Sequence, residues 1–365
     1  LGIPDLGGEN NLNFGINTIS TGMISLGISG FISCILIGFY LNRKRIPFHQ
    51  KPPIVAGFSA ATLFLVVISG YITPQLYVPW IFVLGFVFGA STCIMYSFIF
   101  DLIPQQYRGL NAGILTGIIY LIGASSMEEW TFWNFRRDII IWLGLTLIIQ
   151  IIYIIFNTFD EEQIAKIQDQ PPKYTFDLKL VCVLLFLILF IDSFGFLRIV
   201  GNPEILAATW QGTQGFRFYI GMIHFTTAIL IGVYYNKLKP LNVAMISVIL
   251  FILADGMLAL IEFNPTIKYI LPILYASAVS IYTLVFLSLL ADISTKENYY
   301  KVIGIGMAVF GWFSSYLATA ISLSLIGADI TNPVVSFRTH LGIASLIAII
   351  TLGFIIWMKK ATQSK

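Results

Sequence analysis

Asp192, His224 and Arg217 are ionisable residues embedded in runs that are otherwise almost wholly apolar. An ionisable group at the centre of a membrane helix costs about 2.5–3.5 kcal/mol on insertion scales, so each needs a compensating use. Asp192 stands in Ile191-Asp192-Ser193-Phe194-Gly195, eight residues before its run ends near Val200. His224 lies nine to ten residues into the next run. At the rise of an α-helix both sit about 12–14 Å from the same end. Consecutive helices usually pack together, so the two are expected to form a pair for proton exchange or solute contact. A structural hydrogen-bonded pair is the alternative. Gln214, Arg217, Gly221 and His224 recur at spacings of three, four and three, which is one helical face. Arg217 would sit near the mouth of that face, placed to attract an anionic group or to extend toward the interface. Asp255, deep in a further run, is expected to serve packing, with Glu262 two turns beyond it.

Such residues need long apolar helices to carry them, and the composition supplies these. Of 365 residues, 57% are hydrophobic and 11% charged, with a mean hydropathy of +0.86. That leaves too little polar side chain to coat a water-soluble globule, so lipid is the solvent for much of the surface. Eleven segments are long and apolar enough to span a bilayer: 14–41, 53–72, 76–100, 109–127, 138–157, 178–200, 215–235, 241–262, 267–291, 302–326 and 339–358. Pro52, Pro53, Pro74, Pro104, Pro171, Pro172, Pro203, Pro240, Pro265 and Pro333 fall between or at the edges of segments, where proline ends a helix at little cost. The net charge of +3 is spread over short loops, which excludes a nucleic-acid surface. Cys34, Cys93 and Cys182 are isolated, and His49, His224 and His340 are too far apart in the topology to share a metal or a catalytic centre. No metal, no cofactor and no catalytic residue is expected.

Lys and Arg set the orientation. With the loop after the first segment placed in the cytoplasm, fifteen of the 21 basic residues fall on that side and six on the other. The C-terminus is then cytoplasmic, in a cell-membrane protein. The polar stretch 158–177 separates residues 1–157 from 178–358 as a cytoplasmic linker, and 359–365 form a tail. The two halves share a pattern. Gly38-Phe39-Tyr40-Leu41-Asn42-Arg43-Lys44-Arg45 and Gly232-Val233-Tyr234-Tyr235-Asn236-Lys237-Leu238-Lys239 lie 194 apart; Asp101 and Asp292, and Gly113 and Gly304, lie 191 apart. A parallel repeat is expected. Leu1-Gly2-Ile3-Pro4 stands where Leu197-Arg198-Ile199-Val200 stands in the second half, so a further helix is expected before Leu1.

On these residues the chain resembles the major facilitator superfamily. Gly38, Arg43 and Arg45 match that family's loop between helices two and three, although Asn42 replaces the acid and Lys44-Arg45 lacks the glycine. Asp101 followed by Pro104, Arg108 and Gly109 matches the loop between helices four and five. The antiporter Gly-Pro signature is absent from 109–127. The resemblance implies an all-α polytopic membrane protein of the two-bundle type, with 11 transmembrane helices standing for family helices 2–12. It implies a secondary transporter, not an enzyme, that moves a small solute across the lipid bilayer by alternating access, with protons as a coupling ion. Tyr96, Tyr275, Tyr282 and Trp312 would line its cavity beside Asp192, His224 and Arg217. Asp101, Arg108, Arg43 and Asp292 would form charge contacts of an inner gate. A receptor or scaffold that kept the fold, and a membrane-embedded enzyme, are the rival expectations.

Overall fold

A computed structural model describes residues 16–126, 132–156, 161–200, 205–206, 212–260, 266–326 and 334–363. The readings of residues 1–13, Pro203, Glu262, Pro265 and Pro333 lie outside these. All regular structure among the described residues is helical. The helices are α1 (Ile16–Lys44), α2 (Lys51–Ile68), α3 (Pro74–Leu102), α4 (Arg108–Ser126), α5 (Phe132–Phe156), a short α6 (Glu161–Gln168), α7 (Leu178–Val200), α8 (Gln214–Leu238), α9 (Pro240–Leu258), α10 (Ile267–Asp292), α11 (Tyr299–Gly306), a π-helical stretch Met307–Ser314, α12 (Ser315–Ile326) and α13 (Phe337–Gln363). Ten spans among the described residues are long and apolar enough to cross a membrane, Tyr299–Ile326 counting as one. The expected segment 109–127 forms as the 19-residue α4, which is not among those ten. Proline opens α2, α3 and α9, where its missing N–H has no intrahelical partner to lose.

Close packing gathers the helices into two compact units. The first comprises residues up to Gln105, Glu129–Tyr174 and Leu290–Tyr316; the second comprises Gln106–Glu128, Thr175–Leu289 and Leu317–Lys365. Within the first, α1 meets α11 where two glycines touch: a Cβ on Gly38 would lie 2.8 Å from the Gly304 Cα. Within the second, α4 meets α8 the same way, with a Cβ on Gly232 3.2 Å from the Gly113 Cα. Such small-residue contacts let membrane helices approach closely without a hydrophobic drive between them. Under the repeat Gly38 corresponds to Gly232 and Gly304 to Gly113, so the landmark glycines of the sequence are the ones that meet.

The repeat also holds in backbone detail. Arg45 and Lys239, 194 apart, are the positive-φ non-glycine residues among those described, at φ 49° and 66°. Each ends its helix with the same bond, Arg45 N–H to Leu41 O at 2.8 Å and Lys239 N–H to Tyr235 O at 3.0 Å. A positive φ at a helix end is a conformation that glycine adopts without strain and other residues rarely take. Burial follows suit: Gly38 and Gly232 are buried, Tyr40 and Tyr234 are exposed, and Leu41 and Tyr235 are buried.

Candidate functional site

Asp192 on α7 is half-buried and is held by two tyrosines of α10. Tyr275 donates to Oδ1 at 2.7 Å and to the Asp192 backbone carbonyl at 3.0 Å; Tyr282 donates to Oδ2 at 2.5 Å. Tyr275 and Tyr282 are seven residues apart, two helical turns, which puts both phenols on one face of α10. Phe251 of α9 packs against both rings, at 5.3 and 6.0 Å between centroids. The carboxylate is thus gripped from both oxygens by neutral donors.

His224 does not pair with Asp192. Its Nδ1 lies 2.8 Å from Ser280 Oγ, and the Ser280 hydroxyl donates to the His224 carbonyl at 3.2 Å. The imidazole stacks on Tyr120 of α4 at 4.4 Å, and Tyr120 OH reaches Thr283 Oγ1 at 3.2 Å. The direct pairing expected from matched depth therefore gives way to a shared wall. Asp192 and His224 are both anchored by α10, and their partners Tyr275, Ser280 and Tyr282 occupy neighbouring turns.

The stripe on α8 turns toward α4: Gly221 and His224 face Leu121 and Tyr120. Arg217 is buried on it, and its Nε and Nη1 have no hydrogen-bond acceptor. It does not extend to the interface. Asp255 on α9 is 1% exposed, with neither carboxylate oxygen bonded, and its Oδ1 would lie 3.6 Å from a Cβ on Gly195. Asp255 is thus buried against α7 beside Gly195, one turn along that helix from Asp192, with an unbonded carboxylate.

A second charge cluster lies in the first unit. Asp101, fully buried at the end of α3, accepts from Lys51 and, at 2.7 Å, from Gln168. Lys51 also donates to Tyr299 OH at 3.0 Å and lies 4.5 Å from the Tyr300 ring centre. Phe100 stacks on Tyr299 at 4.3 Å. Above this cluster, α6 is tied by His49 to Glu161 at 3.1 Å, and Lys296 binds Asp169 just beyond it at 2.7 Å. A cavity of about 190 Å³ there is lined by Arg45, Glu161, Gln168, Lys296, Tyr299 and Tyr300, among others. Asp292 is buried at the end of α10, and its carbonyl accepts from Lys173 and Tyr174 N–H at 2.8 and 3.3 Å. Burial, with the Asp292 charge adding to it, pushes the Tyr174 hydroxyl up to about 12, so it stays a neutral phenol.

The other candidates fall as follows. Trp312 is buried on the π-helical stretch, fitting over Gly30 and stacking on Tyr316 at 5.5 Å. A π-helical turn is uncommon and recurs at functional sites. Tyr96 is half-buried on α3, Arg43 is exposed on α1, and Arg108 is buried at the start of α4. His340 is buried against Phe194, with Nε2 3.0 Å from its carbonyl, in a packed core rather than with His224. Among the described residues no group of His, Cys, Asp and Glu could hold a metal.

Sequence reading missed Lys51, counting it only as a basic loop residue. A signal was present: a lysine in the first turn of a helix opposes the helix dipole and calls for a carboxylate.

No protein-family model and no curated protein sequence matches the chain. Solved structures do match its fold. The human organic anion transporter MFSD10 (TETRAN) superposes with a TM-score of 0.65 at 13% identity, over 93% of this chain and 84% of that one. The proton:xylose symporter XylE gives 0.63 at 14% identity over 96% and 89%. The nucleoside transporter NupG gives 0.59 at 17% over 98% and 93%. The chain has the fold of major facilitator superfamily transporters. With its ten candidate spans it is a multi-pass membrane protein.

Proposed function

We propose that the protein is a secondary active transporter that moves a small solute by alternating access and couples the movement to protons. The observation that carries this reading is Asp192, an acid at membrane depth held by Tyr275 and Tyr282. Protonation gives one of its oxygens an O–H donor and makes it a poorer acceptor, which weakens the bond from the phenol there and favours its release or reversal. That links a proton to a rearrangement between α7 and α10. Released, Tyr282 is free for a solute hydroxyl or carbonyl. His224, Arg217, Tyr96 and Trp312 are the further solute-contact candidates in this reading. The organic anion, xylose and nucleoside carriers of like fold support a small solute as cargo.

The moving parts are taken to be the halves 1–157 and 178–358, joined by the linker 158–177 on the cytoplasmic side of the cell membrane. Asp101, Arg108, Arg43 and Asp292 would close the inner gate. The test is uptake of a metabolite panel into proteoliposomes with and without a pH gradient. Wild type is expected to concentrate one solute class under the gradient, and Asp192→Asn to lose that gradient response. Unchanged gradient-driven uptake by Asp192→Asn would contradict the assignment.

A further inference from the structure

A guanidinium keeps its charge at any working pH. Removing one from water is costly unless an anion and acceptors compensate it. Arg217 is 6% exposed, and two of its nitrogens are buried with no acceptor. Its place makes matters worse, because it sits in the first turn of α8, where the helix dipole adds positive partial charge. The same dipole would favour an anion.

The facing helix shows what else is there. Along the contact between α4 and α8, Gly117 lies against Phe225 and Leu121 against Gly221, four residues forward on one helix matching four back on the other. One more step brings Ser125 level with Arg217. The Ser125 hydroxyl is buried and unbonded as well. Asp255, a buried carboxylate of the same unit, stands against Gly195 on α7 instead. By that register two guanidinium nitrogens and a hydroxyl are buried at one level of the contact between α4 and α8, each a donor in need of an acceptor.

We propose that this level is an oxyanion site, and that the transported solute is a small organic carboxylate held by Arg217 and Ser125; this rests on the transporter reading above. A lipid phosphate shares the chemistry and is the competing source.

The test uses the full chain purified in an uncharged maltoside detergent. Thermal unfolding is followed with benzoate, lactate, inorganic phosphate, phosphatidylglycerol micelles and the neutral benzamide. A soluble carboxylate is expected to raise the unfolding temperature while benzamide does not. Arg217→Gln should weaken that response about tenfold or more. Because Arg217→Gln can fail for structural reasons, Ser125→Asp gives the reverse signal. A built-in carboxylate facing Arg217 should raise the basal unfolding temperature and abolish the response to added anion. The proposal is overturned if no soluble carboxylate stabilises wild type, if phosphatidylglycerol alone does so through Arg217, or if Ser125→Asp lowers stability and leaves anion binding intact. Uptake of labelled benzoate and lactate into proteoliposomes separates the two readings. Binding without any uptake sinks transport and leaves the oxyanion site standing. Uptake of neutral solutes only, equal in wild type and Arg217→Gln, sinks the oxyanion site and leaves transport standing.

Discussion

Two buried charge clusters in this molecule are built on opposite plans. Around Lys51 and Asp101 each charge meets its opposite, and Gln168, Tyr299 and the Tyr300 ring take up remaining capacity. Around Asp192 the acid has only neutral phenol donors and neither carboxylate oxygen of Asp255 is bonded; elsewhere in the same unit Arg217 has no acceptor for Nε and Nη1. A saturated cluster has one arrangement to settle into. An unsaturated one retains binding capacity that a proton or a solute can fill, and it carries a standing cost in stability. That contrast is why the proposed coupling site is placed in the second unit, and why the first cluster reads as a fastening.

Substitutions can break the contrast by sign as well as size. Lys51→Ala strands the Asp101 carboxylate and should cost about 3–5 kcal/mol, seen as a large fall in unfolding temperature in detergent. Adding Asp101→Leu to Lys51→Met should restore most of it, since a buried ion pair is often replaceable by apolar residues. Tyr282→Phe removes one hydrogen bond to an acid and should cost about 1.5–3 kcal/mol if Asp192 is charged, with gradient-driven uptake reduced in proteoliposomes. Asp255→Leu should go the other way, stabilising by about 1–3 kcal/mol because an unsatisfied buried group is removed. A destabilised Asp255→Leu would mean that Asp255 has a partner and the contrast is false. His49→Ala breaks an exposed pair to Glu161 and should change stability by less than about 1 kcal/mol.

How far this could be read without coordinates depends on the residue. The glycines and terminal basic residues of the repeat were legible because each has few structural uses: a glycine permits close approach, and a constant offset of landmarks survives divergence. Arg45 and Lys239 confirm that reading through a backbone conformation no composition could show. Asp192 was legible as an exception to its apolar surroundings. Its partners were not, because depth along a helix is known from counting while rotation about it is not. Hence His224 was expected to meet Asp192, whereas Ser280 holds the one and Tyr275 and Tyr282 the other. The π-helical stretch under Trp312 leaves no trace in hydrophobic periodicity.

The most direct test of the central claim is proton movement itself. Proteoliposomes holding a pH-sensitive dye are given a transported solute in the absence of any imposed gradient. Wild type should acidify the lumen as solute enters, and Asp192→Asn should show no acidification while still exchanging labelled for unlabelled solute. Solute-evoked acidification by Asp192→Asn equal to that of wild type would contradict the account.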